Sequence, residues 1–394
     1  MAEGYVSRLL RPPAQSFFLF GPRGSGKSTW VRHELPAAYR IDLLDEARYH
    51  AYLARLSLFA DELRAVPPRT TVVVDEIQRL PQLLNEVHRF IEERRLRFVL
   101  CGSSARKLKR EGTNLLAGRA LRRALHPFVP AELGVDFDLD EALAGGTLPV
   151  IWQAPSRREA LIAYVQLYLR EEIQAEALVR NLPGFARFLP IAALFHGQTL
   201  NVSSVARDAE VSRTTVNGYV EVIEDTLLAF RLPAFEGRMR VRERRHPKLY
   251  WVDAGIVRAL KRQLGPLTAE ERGSLFEGWV ANLLRVHDDY QGLFDEWYYW
   301  APVDAARTEV DFLLRRGRDW LAIEAKSGTG AGPDELHRRS HPHLGWSDLV
   351  TEGIEVHKVP GDHTSYIRGH IDVTAMTIHE CLEKAAATAP HGPR

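Results

Sequence analysis

Two cysteines in 394 residues, Cys101 and Cys381, are too few and too far apart for a disulfide framework. Neither sits in a CxxC pair or beside a histidine cluster, which excludes a cysteine-built zinc site and fits a reducing compartment. Net charge is also missing: 52 Lys and Arg stand against 51 Asp and Glu. No whole-molecule field therefore draws in nucleic acid, and any such contact must come from a local basic patch. Long hydrophobic runs are absent too, none reaching the ~18 residues that a membrane-spanning helix needs. Residues 1–13 carry no apolar segment before a small-residue cleavage site, so a cytoplasmic protein with no membrane partner is expected. Internal repeats are lacking, and the one biased stretch is the short tail 385–394. What remains is ordinary globular composition, 45% hydrophobic and 26% charged, in a chain long enough for two or three domains of roughly 100–200 residues each.

The first third alternates apolar strands, at 16–20, 40–44, 70–74, 97–101 and 124–128, with helical patterns. That alternation predicts a parallel sheet with crossover helices. Helical periodicity dominates residues 157–225, and the turn-rich segment Ala144-Gly145-Gly146-Thr147-Leu148-Pro149 forms the seam. From Leu275 the chain reads as a helix, three strands and a further strand near 354–359. The expected domains are 1–140 (α/β), 141–250 (helical, with a winged helix-turn-helix) and 251–394 (α/β).

Gly21-Pro22-Arg23-Gly24-Ser25-Gly26-Lys27-Ser28 fits GxxxxGK[ST], after an apolar strand and before a helical start at Thr29. Glycines let the backbone wrap phosphate oxygens with its N–H groups inward, and the following helix adds its positive end. Lys27 would reach the β- and γ-phosphates of ATP, and the Ser28 hydroxyl would ligate Mg²⁺. The strand at 70–74 runs into Asp75 and Glu76, which suit a water-bridged Mg²⁺ contact and polarisation of the attacking water; helix capping is the bland alternative. Ser103 or Ser104, ending the next strand, would sense the γ-phosphate or cap a helix. Arg119 would act as a finger on a neighbouring subunit's nucleotide, with Arg122 and Arg123 as competitors and a solvated role as the alternative. A homo-oligomer sharing ATP sites between subunits follows from that reading.

GPRGSGKST, VVVDEIQRLP, FVLCGSSARKL and LAGR together resemble the bacterial and archaeal AAA-type ATPases related to the signal-transducing (STAND-like) NTPases. In that group the ATPase is commonly fused to a C-terminal domain now grouped with restriction-endonuclease-like folds. Residues 145–149 look like the family's GG-x-P entry into its second half, with one residue extra. The resemblance implies an AAA-type P-loop sheet followed by a nuclease-like α/β domain.

A short helix ending near Ala209, a turn at 210–212 and a second helix at 213–225 predict a helix-turn-helix with Ser212 as N-cap. Arg213, Thr214, Thr215 and Asn217 then lie at the exposed helix start, the residue types that meet DNA phosphates and base edges. Val216, Val220, Ile223 and Leu227 would face the core. Residues 231–248 hold Arg231, Arg238, Arg240, Arg242, Arg244, Arg245 and Lys248 against Glu236 and Glu243, a basic surplus where a wing would grip DNA. A packing lid with solvated arginines is the alternative.

Near the C-terminus a helix carries Glu277, one strand carries Asp311, and the next carries Glu324 and Lys326 on a shared face. This D-(x)n-E-x-K pattern resembles the PD-(D/E)xK nucleases, although Val310 stands where the proline would be. The resemblance implies Mg²⁺ on Asp311, Glu324 and Glu277, with Lys326 activating the hydrolytic water. A salt-bridge cluster, or a fold that binds nucleic acid without cutting, are the alternatives. The aromatic run 297–300 reads as strand packing, and His337, His341 and His343 read as a surface loop. The sequence as a whole predicts an ATPase acting on DNA, with a magnesium nuclease domain. The alternative is a nucleotide-gated switch or a branch-migrating motor whose C-terminal domain does not cut.

Overall fold

A strand that is apolar at every position needs cover on both faces, which places it at the centre of a parallel sheet. β1 (Phe17–Phe20) is such a strand, fully buried throughout. The computed structural model describes residues 4–103, 118–168, 179, 181–235, 246–301, 309–317, 319–326 and 355–360. After β1 come α1 (Lys27–Glu34), β2 (Tyr39–Asp42), α2 (Glu46–Ala54), α3 (Ser57–Ala65), β3 (Thr71–Asp75), α4 (Leu83–Arg94), β4 (Arg97–Cys101) and β5 (Leu121–Ala124). The five strands form one parallel sheet in the order β2-β3-β4-β1-β5. Successive side chains go to opposite faces. Phe18, Phe20, Val72, Val74, Phe98 and Leu100 pack on one side, and Phe17, Leu19, Val73, Val99 and Cys101 on the other. Burying each large apolar side chain contributes about 1.5–3 kcal/mol.

The last strand of this sheet lies at Leu121–Ala124, not at 124–128. It is an edge strand paired with β1 alone, so both of its faces are less covered and tolerate Arg122 on one and Arg123 on the other. Arg122 lies over the Phe20 ring at 5.7 Å. The apolar stretch that suggested a strand instead packs Leu125 and Phe128 into the interior as it leaves the sheet.

The middle holds α5 (Pro130–Leu133), α6 (Leu139–Gly145), α7 (Pro149–Trp152), α8 (Arg157–Ala163), α9 (Leu182–Leu194), β6 (Gln198–Thr199), α10 (Val202–Asp208), α11 (Arg213–Asp225), β7 (Ala229–Leu232) and β8 (Lys248–Trp251). The Asn201 side chain caps α10 and the Ser212 hydroxyl caps α11, accepting from the Thr215 amide at 3.1 Å. Both caps satisfy orphan helix-start amides, which fixes the turn between the helices. Val216, Val220 and Ile223 are buried as the helical spacing predicted. β6, β8 and β7 form an antiparallel sheet with β8 central, in which β7 follows the two helices in the chain.

Next come α12 (Ala254–Leu260), α13 (Ala269–Gln291), β9 (Glu296–Trp300), β10 (Val310–Arg316), β11 (Asp319–Lys326) and β12 (Glu355–Pro360). α13 starts at Ala269, earlier than the apolar pattern suggested, because Thr268 caps it and Glu270 and Glu271 complement its positive end. It runs roughly 34 Å at 1.5 Å per residue. β9, β10 and β11 form an antiparallel meander, and β12 pairs parallel outside β11. One continuous core extends from Val129 to Ile323. Within it Trp297 stacks on Phe230, while Tyr299 and Trp300 are buried, so the aromatic run packs the sheet.

Candidate nucleotide site and C-terminal carboxylate cluster

The glycine loop leaves the end of β1 and enters α1. Gly24 and Gly26 have φ of +78° and +86°, a region where side-chain-bearing residues are strained. Gly21 leaves no room for a side chain, since a Cβ there would lie 2.5 Å from the Leu125 carbonyl oxygen. The loop's carbonyls are bound from outside. Gly24 accepts from the Val150 amide at 3.1 Å, Arg23 from the Tyr164 hydroxyl at 3.0 Å, and Ser25 from the Arg8 guanidinium at 3.0 Å. These bonds hold the loop in shape before any ligand arrives, while the first amides of α1, which no helical turn can satisfy, border the hollow.

Lys27 is buried and donates to the carbonyls of Gly21 at 2.8 Å and Pro22 at 3.3 Å. These neutral partners are weaker than a phosphate, so the lysine has a reason to move when one binds. Pro22 and Ser25 are buried in the loop, whereas Arg23, Ser28 and Thr29 are exposed. The Ser28 hydroxyl donates to Asp75 at 2.7 Å across from the loop. A hydroxyl and a carboxylate side by side at a phosphate hollow are the donor set that Mg²⁺ takes in P-loop enzymes, and they fit it.

Glu76 has φ of +56°, uncommon for a non-glycine residue and a strain found at functional positions. Its carboxylate takes a bond from the Gln78 amide group, which also reaches the Ser103 hydroxyl at 3.3 Å. Gln78 thus joins the acidic pair on β3 to the serine ending β4. Sequence reasoning missed it, although an amide side chain between Ile77 and Leu80 in an apolar stretch was the signal. Ser104 lies outside the described residues. Cys101, fully buried at the end of β4, has its thiol pushed up by burial and then by the Asp75 charge, so it stays a neutral packing group.

Arg119 sits at the other end of the sheet. The next strand enters with the Leu121 amide on the Ser16 carbonyl, at the start of β1 and away from the loop. It pairs with Glu92 and is partly exposed. It cannot reach its own chain's loop.

In the helix-turn-helix Arg213, Thr214 and Asn217 are exposed, whereas Thr215 is half-buried with its hydroxyl 2.8 Å from that of Ser212. Arg240, Arg242, Arg244 and Arg245 lie outside the described residues. Two members of the expected basic surplus are engaged elsewhere. Arg231 forms a two-bond pair with Glu224 at 2.8 and 2.7 Å. Lys248 is 5% exposed and points into the C-terminal domain, not toward solvent.

That lysine reaches the residues expected to hold metal. Its ammonium lies 2.9 Å from Glu277, contacts Glu309 and is 3.7 Å from Asp311. Tyr250 donates to the same Glu277 oxygen at 2.6 Å, and Asp311 accepts the Ala325 amide at 2.9 Å. Burial opposes the Lys248 charge, but Glu277, Asp311 and Glu309 outweigh it and raise its pKa above the lysine norm. The side chains of Glu324 and Lys326 lie outside the described part of the structure. Among the described residues no group of three or more His, Cys, Asp or Glu is arranged to hold a metal ion.

Two contacts tie the ends together. Asp253, just past β8, accepts the amides of Thr147 and Leu148 at 2.7 and 2.9 Å and so fixes the turn that leads to Val150. His126, buried one residue beyond Leu125, bonds Asp289 on α13 at 2.6 Å.

A glycine loop between strand and helix, a serine–aspartate pair across from it and a five-stranded parallel sheet together form an α/β domain of the AAA-type P-loop fold. Residues 14–134 match the family described as AAA domain. Residues 136–267 and 272–344 match two families described as domains of unknown function, DUF8612 and DUF4143. Uncharacterized proteins of Mycobacterium tuberculosis and Mycobacterium bovis are each 26% identical over 273 residues, 68% of this chain. The chain spans 60% of the length of these curated relatives. Among solved structures, Aeropyrum pernix ORC1 in complex with DNA is 15% identical with a TM-score of 0.28, over 64% of this chain and 87% of that one. The initiator DnaA bound to AMPPCP and single-stranded DNA is 14% identical with a TM-score of 0.27, over 55% and 83%. A STAND protein from Pyrococcus horikoshii is 12% identical with a TM-score of 0.25, over 69% and 43%. Likenesses this loose carry no functional argument.

Proposed function

We propose that this chain is an ATP-hydrolysing switch whose nucleotide state sets how its helix-turn-helix meets DNA. One observation carries the reading: the phosphate loop is held by Val150 and Tyr164, residues of the middle region, through the carbonyls of Gly24 and Arg23. A change in the loop on binding triphosphate therefore acts directly on the segment that leads to α11. In this reading Lys27 exchanges its own loop's carbonyls for the β- and γ-phosphates. Ser28 and Asp75 hold Mg²⁺, which neutralises phosphate charge. Glu76, set by Gln78, orients the attacking water, and Ser103 reports on the γ-phosphate through the same amide. Arg119, remote from its own loop, would complete the site of an adjacent copy in a homo-oligomer. Arg213, Thr214 and Asn217 offer the DNA contacts, and the sequence run of Arg240, Arg242, Arg244 and Arg245 supplies charge for the DNA backbone.

Turnover of ATP, measured alone and with single-stranded, double-stranded and branched DNA, tests this. Stimulation by one DNA form, lost on Arg213→Ala with Asn217→Ala, is expected. Equal turnover with every form would move the partner from DNA to protein.

A further inference from the structure

We propose that Lys248, and not a divalent metal ion, is the resident cation of the Glu277–Glu309–Asp311 cluster, so that these carboxylates clamp β8 to the C-terminal sheet and support no metal-dependent cleavage.

The nuclease resemblance places a metal on Asp311 and Glu324, with Glu277 as a further ligand. The structure places an ammonium beside two of these acids, 2.9 Å from Glu277 and 3.7 Å from Asp311. Glu309, from just before β10, closes the third side. The inner oxygens have further partners: Tyr250 on Glu277 at 2.6 Å and the Ala325 amide on Asp311 at 2.9 Å. Mg²⁺ binds oxygen at about 2.1 Å and demands near-octahedral ligation. At these same oxygens it would lie against the lysine, like charge beside like charge in a buried site.

Withdrawal of the lysine is resisted by the backbone. Lys248 pairs with Thr199 on one side and Leu232 on the other, in the central strand of its sheet. All four residues of β8 are buried. An ammonium stripped of its carboxylates here would be a buried charge with no counter-ion, which is strongly destabilising. The three carboxylates without the lysine would face the converse cost. Each side therefore explains the other, and a metal is not needed to account for acids in an apolar hairpin.

Manganese binding to the full-length, nucleotide-free chain, counted by electron paramagnetic resonance, tests the proposal. The chain carrying Ser28→Ala and Asp75→Asn lacks the phosphate-loop ligands and is expected to bind no stoichiometric Mn²⁺. The chain without those changes should bind the same number of ions with and without Glu277→Gln, a comparison that stands even if the first variant misfolds. Lys248→Met should lower the melting temperature by several degrees. One Mn²⁺ per chain that disappears on Glu277→Gln would overturn the proposal, and so would a Lys248→Met chain that melts with its parent.

Discussion

The Val150 amide donates to the Gly24 carbonyl at 3.1 Å, and the Val150 side chain fills the space that a Cβ on Gly24 would need, 2.4 Å from its Cγ1. Residues 126 positions apart in sequence thus shape one surface, half phosphate loop and half middle region. A sensor of nucleotide state requires such a contact, because a ligand shifts only those elements with which its binding differs between states.

Gly24→Ala tests the fit directly. It meets both a left-handed backbone and the Val150 methyl, so a loss of about 1–3 kcal/mol in unfolding free energy is expected. Adding Val150→Ala should recover part of that loss, the steric part, while the backbone part stays. Chemical denaturation of the two variants and the single Val150→Ala control measures the difference.

Lys27→Met should leave the fold intact, since the lysine's contacts in the loop are with two neutral carbonyls. Steady-state hydrolysis should fall by about 100-fold or more, the scale of removing a positioned donor to developing charge. Unchanged circular dichroism with lost turnover is the expected pair of results.

Gln78→Leu removes the link between Glu76 and Ser103 without touching nucleotide. kcat should drop by up to about 100-fold, with little change in KM, as misplacement of a water-orienting group predicts. Equal rises in KM would place Gln78 in nucleotide binding instead.

The glycine loop, its flanking strand and helix, and the acids of β3 were legible because each is local: spacing and apolar run fall within a dozen residues. The helix-turn-helix was legible for the same reason, Ser212 marking its second helix. The edge strand was misplaced because Arg122 and Arg123 hid it, while the apolar residues after it were buried as a loop. The start of α13 was hidden by a polar first turn that serves capping. Lys248 was read as part of a wing because its partners Glu277, Glu309 and Asp311 come from a distant helix and strand. No local rule connects them.

Acid should weaken the fold through His196. This buried imidazole accepts the Trp251 amide at 3.1 Å, and burial, then Lys261, lowers its pKa from 6.5 to about 3. The folded state binds a proton less readily than the unfolded one, so stability is full above 6.5 and is lost as pH falls from 6.5 toward about 3. The slope contributed is at most about 1.4 kcal/mol per pH unit. His196→Asn keeps an acceptor and removes the titration, and should flatten that part of the curve in pH-dependent denaturation.

The most direct measurement is the affinity of the full chain for its stimulating DNA, by fluorescence anisotropy, without nucleotide, with ADP and with a non-hydrolysable ATP analogue. The account predicts a shift of about tenfold, or 1.4 kcal/mol, between nucleotide states, absent in Lys27→Met. One affinity in all three states, or the same shift in Lys27→Met, would contradict it.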